Sequence, residues 1–210
     1  MSTAGNPSPA IRIIAFGGTL TPGSSTSKAL DIACRSAESA GAIITRFGFE
    51  EFRQLPFYLP APSAEVPVAR RFIEALREAE GVLIASPGWH GSVPGLLKNA
   101  LDYLEDLAQD DPPYLDGRAV GLIATAYGNQ AACSTLNALR TIVHALRGWP
   151  TPLGAAVNCS GGIFRDDTCS DEAILRQLQT IGLQVVEFAK MQRLARIAHR
   201  ATAPESRSTP

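Results

Sequence analysis

The chain is short of several things that would announce a function. Four cysteines occur in 210 residues, Cys34, Cys133, Cys159 and Cys169, with no CxxC pair and no histidine at ligand spacing. That excludes a sequence-legible zinc site and leaves free thiols of a reducing compartment as the expectation. The histidines, His90, His144 and His199, are far apart, so no metal is expected. Net charge is −1, from 19 basic and 20 acidic residues. A nucleic-acid footprint and a polybasic membrane surface are both excluded as expectations. No apolar run approaches the ~20 residues of a membrane span. The opening MSTAGNPSPA lacks the charged and apolar regions of a signal peptide, so a cytoplasmic protein is expected. There is no GxxxxGK[ST], hence no lysine to reach a β- or γ-phosphate. There is no GxGxxG either, and Phe47 stands about where a ribose-binding acid would end the second strand.

What is present centres on Ile11–Ser27, IRIIAFGGTLTPGSSTS. A β-branched apolar run stops at Gly17-Gly18. Six hydroxyls follow within nine positions, Thr19, Thr21, Ser24, Ser25, Thr26 and Ser27, and helical spacing then begins at Ala29 and Leu30. This reads as strand, Gly-rich turn and helix N-terminus. The first N–H groups of a helix lack intrahelical partners and carry partial positive charge. With clustered hydroxyls they form a neutral cradle for a phosphate. One helix cap needs one hydroxyl, not six. A hydroxyl-rich loop without lysine suits a terminal monophosphate, which is what FMN carries.

Along the rest of the chain, helical and strand patterns alternate. Ser25–Ala40 reads as a helix capped at Gly41, and Ala42–Phe47 as a second strand. Phe49–Pro67 holds Pro56, Pro60, Pro62 and Pro67, so it is no regular helix or central strand. Its Phe52, Phe57, Tyr58 and Leu59 should pack on a core or at a subunit or substrate surface. Val68–Ala79 is an amphipathic helix, and VLIAS at 82–86 a doubly buried strand. A helix runs from about Val93-Pro94 to Leu107, with apolar residues at i, i+3, i+4, i+7 and i+8. Ala119–Ala124, a helix through Leu136–Leu146, a weaker strand at Leu153–Val157 and a helix over Asp171–Arg196 complete the pattern. Five βα units imply a three-layer α/β fold, with a five-stranded parallel sheet in the order 2-1-3-4-5 and helices on both faces. One domain is expected over residues 11–200, with loose tails at 1–10 and 201–210.

In such sheets ligands sit beyond the carboxyl ends of the strands. Three polar loops fall there: Thr19–Ser27, Pro87–Ser92 and Thr125–Gln130. A flavin ring needs flat apolar walls and nearby backbone donors. Gly88, Gly91 and Gly128 permit close backbone approach. Trp89 offers a stacking face, Pro87 fixes the loop entry, and Tyr127 is placed to edge the ring. His90 is either a donor to the flavin or a solvent-facing turn residue. No side chain is assigned as a catalytic acid or base, because hydride transfer to flavin needs mainly placement.

The stretch SPGWHGSVPGLLKNALDYLE resembles SPEYNGSxPGxLKNALDWL of the NAD(P)H-dependent FMN reductases, in the flavodoxin-like superfamily. GTLTPGSST resembles that family's phosphate loop, GSxRxGSxN. The resemblance covers about Ile11–Val157. It implies FMN as cofactor, NAD(P)H as hydride donor, and free flavin, quinones or azo dyes as acceptors. It further implies a homodimer or homotetramer, and a flavin-dependent monooxygenase as a partner for the reduced flavin. Thr19, Ser24 and Thr26 fall on the family's phosphate-binding positions. Thr21 replaces its arginine, removing a charge-assisted contact and fitting an exchangeable flavin. Gly88, Trp89 and His90 replace Glu, Tyr and Asn. The cofactor-binding set is therefore Thr19, Thr21, Ser24, Ser25, Thr26, Pro87, Gly88, Trp89, His90, Gly91, Thr125, Tyr127 and Gly128. A bound-FMN quinone or azo reductase and a non-enzymatic electron carrier are the alternatives.

Overall fold

A computed structural model describes residues 9–17, 19, 21, 23–59, 66–165 and 168–202. Its strands are β1 (Ile11–Gly17), β2 (Ala42–Phe47), β3 (Gly81–Pro87), β4 (Ala119–Ala126), β5 (Trp149–Pro150), β6 (Ala155–Asn158), β7 (Phe164–Arg165) and β8 (Thr168–Cys169). Its helices are α1 (Ser25–Ser39), α2 (Phe49–Phe52), α3 (Pro67–Glu78), α4 (Gly95–Asp102), α5 (Asn129–Ala145) and α6 (Glu172–Thr202). The main sheet runs β2-β1-β3-β4-β5, all parallel, in the expected order.

Period-two alternation distributes the strands between two cores. Ile14 and Phe16 of β1, Val82 and Ile84 of β3, and Val120 and Leu122 of β4 face α3, α4 and α5. Ile11, Ile13 and Ala15, with Leu83, Ala85 and Ile123, face α1 and α6. On the first face Phe72 packs edge-on to Phe16, Phe47 and Phe52 at centroid distances of 5.3, 5.1 and 5.2 Å. Each such buried ring contributes about 1.5–3 kcal/mol. On the second face α6 lies so close to α1 that a Cβ at Gly182 would stand 2.2 Å from the Ala33 carbonyl oxygen. Only glycine permits that crossing.

Several boundaries differ from the sequence reading. The fifth sheet position is filled by two pieces: β5 pairs the start of β4, and β6 its end. Pro152 lies between them and has no N–H to donate to the ladder. The proline-rich segment opens with the single helical turn α2, whose N–H at Gly48 is held by the Glu51 carboxylate at 2.9 Å. Of its aromatics, Phe52 is fully buried and Phe57 is 87% exposed. Asn99 accepts from the Tyr58 N–H at 2.9 Å and donates to the Pro56 carbonyl at 2.9 Å, tying this segment to α4. Pro60 and Pro62 lie outside the described residues. Pro94 caps α4 rather than opening it, and Tyr103–Leu107 winds as a tighter 3-10 turn. The Asp171 carboxylate caps the first N–H groups of α6, which starts one residue later than expected and runs on to Thr202. The expected tails fall mostly outside the described residues; Ala10 offers its carbonyl to Arg193 at 3.1 Å. Among the described residues, no helix is long and apolar enough to cross a membrane.

Candidate functional site

The loops after β1, β3, β4 and β6 meet at the carboxyl edge of the sheet around a cavity of about 330 Å³. Its wall includes Thr19, Thr21, Ser24, Ser25 and Thr26 from the first loop. Pro87, Gly88 and Trp89 come from the second, Thr125, Ala126 and Tyr127 from the third, and Cys159 from the last. None of these described residues is a lysine, arginine, aspartate or glutamate.

The hydroxyls of the first loop do two different jobs. Ser24 is the N-cap of α1, its Oγ accepting from the Ser27 N–H at 3.2 Å. Thr19 Oγ1 donates to Ser24 Oγ at 2.9 Å, and Ser27 Oγ lies 3.2 Å from the same atom. These hydroxyls and the α1 N-terminus form a donor-rich, uncharged rim. Thr26 turns inward instead. Its Oγ1 lies 2.6 Å from Thr125 Oγ1, and both residues are buried. That bond stitches the first loop to the end of β4 and fixes the width of the cleft.

The second loop is shaped by its neighbours as much as by the cleft. The Gly88 N–H donates to the Thr125 carbonyl at 2.7 Å. A Cβ on Gly88 would come within 2.8 Å of Thr135 Oγ1 and 3.1 Å of the Ala131 carbonyl, so packing on α5 requires this glycine. The Ser92 N–H bonds the Trp89 carbonyl at 3.1 Å, closing a tight turn. His90 at φ 53° and Gly91 at φ 80° occupy its centre, both left-handed. The Gly91 carbonyl accepts from Ser134 Oγ at 2.7 Å. This geometry carries His90 and Gly91 to the turn tip and off the cavity wall. Gly128 is off the wall too, because it serves as the N-cap of α5. Ten of the thirteen sequence-selected residues thus line one cavity, and His90, Gly91 and Gly128 do not.

Trp89 is 44% exposed and Tyr127 85% exposed. Large rings left this open at a cleft mouth offer faces to a planar ligand. Cys159 was legible only as a plain thiol, although it closes the strand end that the other loops share. Its N–H donates to the Ala126 carbonyl at 2.7 Å. Burial pushes its thiol up, against a Ser25 hydrogen bond that pulls it down. It lines the floor as a neutral group. No cluster of three or more metal-ligating side chains occurs among the described residues.

A second cavity of about 380 Å³ adjoins the first on the β2 side and shares Thr19, Thr21 and Thr26 with it. It is lined by Phe47, Phe49, Asp31, Arg46, Glu50 and Glu51. The smaller cavity is the better flavin candidate. It alone joins the hydroxyl rim to exposed aromatics at the ends of β3 and β4. The donor set also fits a flavin phosphate, because it supplies hydroxyls and helix N–H groups without opposing carboxylates.

Comparison with known proteins agrees with this geometry. A family model described as NADPH-dependent FMN reductase matches residues 11–161. An NAD(P)H-dependent FMN reductase of Pseudomonas aeruginosa is 29% identical over 185 residues, 83% of this chain and 95% of that protein. A 2-hydroxy-1,4-benzoquinone reductase of a Burkholderia species is 36% identical over 86 residues, 38% of this chain and 47% of that protein. The chain spans about half the length of this and other curated relatives it matches. Among solved structures, the flavoenzyme NAD(P)H:acceptor oxidoreductase FerB of Paracoccus denitrificans superposes with a TM-score of 0.70 at 19% identity, over 87% of this chain and 99% of that one. At that identity the likeness shows the fold alone. The family model covers most of the chain and the fold agrees with it: this chain belongs to the NADPH-dependent FMN reductase family.

Proposed function

We propose that the chain is an FMN-dependent oxidoreductase that takes hydride from NAD(P)H and reduces free flavin. The carrying observation is the uncharged, hydroxyl-rimmed cavity closed by Pro87–Trp89 and Tyr127. Thr19, Ser24 and the N–H groups opening α1 would hold the phosphate. Trp89 and Tyr127 would flank the ring, and the Thr26–Thr125 bond holds the first loop against the β4 end that carries Tyr127. When bound, FMN supplies the hydride-accepting and electron-releasing chemistry. The protein supplies binding, orientation and shelter from water. No lysine or arginine lines this cavity among the described residues, so the phosphate is held by neutral donors. Neutral donors bind a dianion less strongly than a bidentate guanidinium. That supports flavin exchange during turnover and delivery of reduced flavin to a partner monooxygenase.

Steady-state oxidation of NADH and NADPH, with FMN varied from zero to excess, tests this. Rates that rise and saturate with added FMN are expected. No oxidation above background with FMN present would sink the proposal. The benzoquinone reductase relative favours a second reading, a bound FMN serving a quinone-type acceptor. Rates independent of added FMN but dependent on added quinone would select it.

The same reading extends to assembly and place. Met191, Leu194 and Ile197 of α6 are each about 60% exposed, and Phe57 and Leu59 also stand in solvent. Such apolar surface suits a homodimer or homotetramer. Light scattering that reports a monomer at micromolar concentration would remove that element. Four free thiols suit a cytoplasmic location.

A further inference from the structure

We propose that the second cavity is an adenosine compartment, so that the chain accepts FAD across both cavities as well as FMN in one. This rests on the flavin reading of the first cavity.

Three observations point there. First, the two cavities meet at the phosphate loop. Thr19, Thr21 and Thr26 line both, so a ligand whose phosphate sits at that loop has space on either side of it. FMN uses one side; FAD is FMN extended by AMP through that phosphate. Second, the larger cavity has the volume of a ligand site, about 380 Å³, within the usual range of roughly 300–1,000 Å³. It combines an apolar floor of Ala15, Leu30 and Phe47 with the half-buried ring of Phe49. An aromatic face beside apolar side chains suits a purine. Third, its polar groups fit what a purine carries next. Glu50 and Glu51, on the turn α2 just beyond β2, accept from Arg53 and the Gly48 N–H and keep further lone pairs for a ribose diol. The end of β2 is also where open α/β sheets place a ribose-binding acid. Phe47 occupies the expected position, and the acids stand three and four residues later, returned to the cavity by α2.

Charge narrows the ligand further. Arg46 lines this cavity with Thr19 and Thr21 and is ion-paired to Asp31. Its guanidinium is the one arginine or lysine among the described lining residues of either cavity, and it suits the second phosphate of a dinucleotide. Against it stand three carboxylates, Asp31, Glu50 and Glu51. Asp31 is balanced by Arg46, and Glu50 and Glu51 would repel a ribose 2′-phosphate and accept from a free 2′-hydroxyl. The compartment therefore selects an adenosine with both ribose hydroxyls free. FAD carries one, joined to the flavin that the adjoining cavity holds.

The test is equilibrium binding to the flavin-free protein, read as quenching of flavin fluorescence. FAD is expected to bind within ten-fold of FMN. Phe49→Ala should weaken FAD at least ten-fold and FMN less than two-fold. Arg46→Ala, on the exposed edge strand, should show the same selective loss and serves if Phe49→Ala does not fold. FAD binding more than ten-fold weaker than FMN overturns the proposal, as does an equal change for both flavins in the variants. A rise in the KM for NADH in Phe49→Ala, with both flavin affinities unchanged, would assign the compartment to the nicotinamide dinucleotide and overturn the FAD assignment. If FMN binds and FAD does not, only the adenosine compartment falls. If neither binds, the flavin reading falls with it.

Discussion

The two ends of the central sheet are built on opposite terms. At the amino edge, charged side chains are paired with each other or with backbone carbonyls. The Glu80 carboxylate accepts from the Arg12 N–H at 3.2 Å and from Arg193 Nε at 2.7 Å. Arg118, only 8% exposed, donates to the carbonyls of Ala79 and Tyr114, each at 2.8 Å. At the carboxyl edge the cavity between the ends of β1, β3 and β4 is lined by uncharged hydroxyls, backbone N–H groups and two open aromatic rings. The amino edge satisfies itself, and the carboxyl edge leaves donors and ring faces for a ligand. Self-satisfied ends stabilise; unsatisfied ends bind.

The largest expected effect of this difference lies at the amino edge. Arg118→Leu strands the buried Ala79 carbonyl and the half-buried Tyr114 carbonyl and should cost about 3 kcal/mol in urea denaturation. FMN affinity should stay within two-fold. Trp89→Ala should do the reverse, leaving stability within about 0.5 kcal/mol. It should weaken FMN roughly ten-fold, as the loss of one stacking face does. If Arg118→Leu weakens FMN as much as Trp89→Ala does, the two ends are not functionally separate.

A smaller effect concerns pH. Burial pushes the Glu80 carboxyl up, but its bonds to Arg193 and the Arg12 N–H outweigh this and hold it below the usual carboxylate range. Its folded form thus prefers ionisation more than its unfolded form does. That stabilisation is complete above about pH 4.3 and is lost as pH falls through the folded value. Glu80→Gln should therefore lower the urea midpoint at pH 7 and converge with the unsubstituted protein under strong acid. A gap that stays constant into strong acid would show that Glu80 acts through packing alone.

Much of this was legible in the chain because it is local. Ile11–Gly17 alternates correctly for two cores, and the hydroxyl-rich stretch after it reads correctly as a turn leading into the capped start of α1. Ala42–Phe47 needs no partner to be read as a strand, and its bounds agree. What was not legible is non-local. His90 and Gly91 sit in the right loop, yet the turn closed by Ser92 carries them off the wall. Thr26 looks like its neighbouring hydroxyls, but a bond to Thr125, ninety-nine residues on, spends it on structure. Gly88 reads as room for a ligand and is needed first for Thr135. Arg46 and Glu51 carry no motif at all; the end of β2 places the first, and the turn α2 the second, beside the loop after β1.

By itself the sequence determined the alternation of strands and helices and the three polar loops at strand ends. Each follows from residue spacing along one segment, where periodicity and turn chemistry act over a few residues. Tertiary structure alone decided which of those polar groups face a cavity, and that the loop after β1 is the shared wall of two cavities. Those outcomes depend on how separate segments pack and bond across the fold, and no local pattern encodes that.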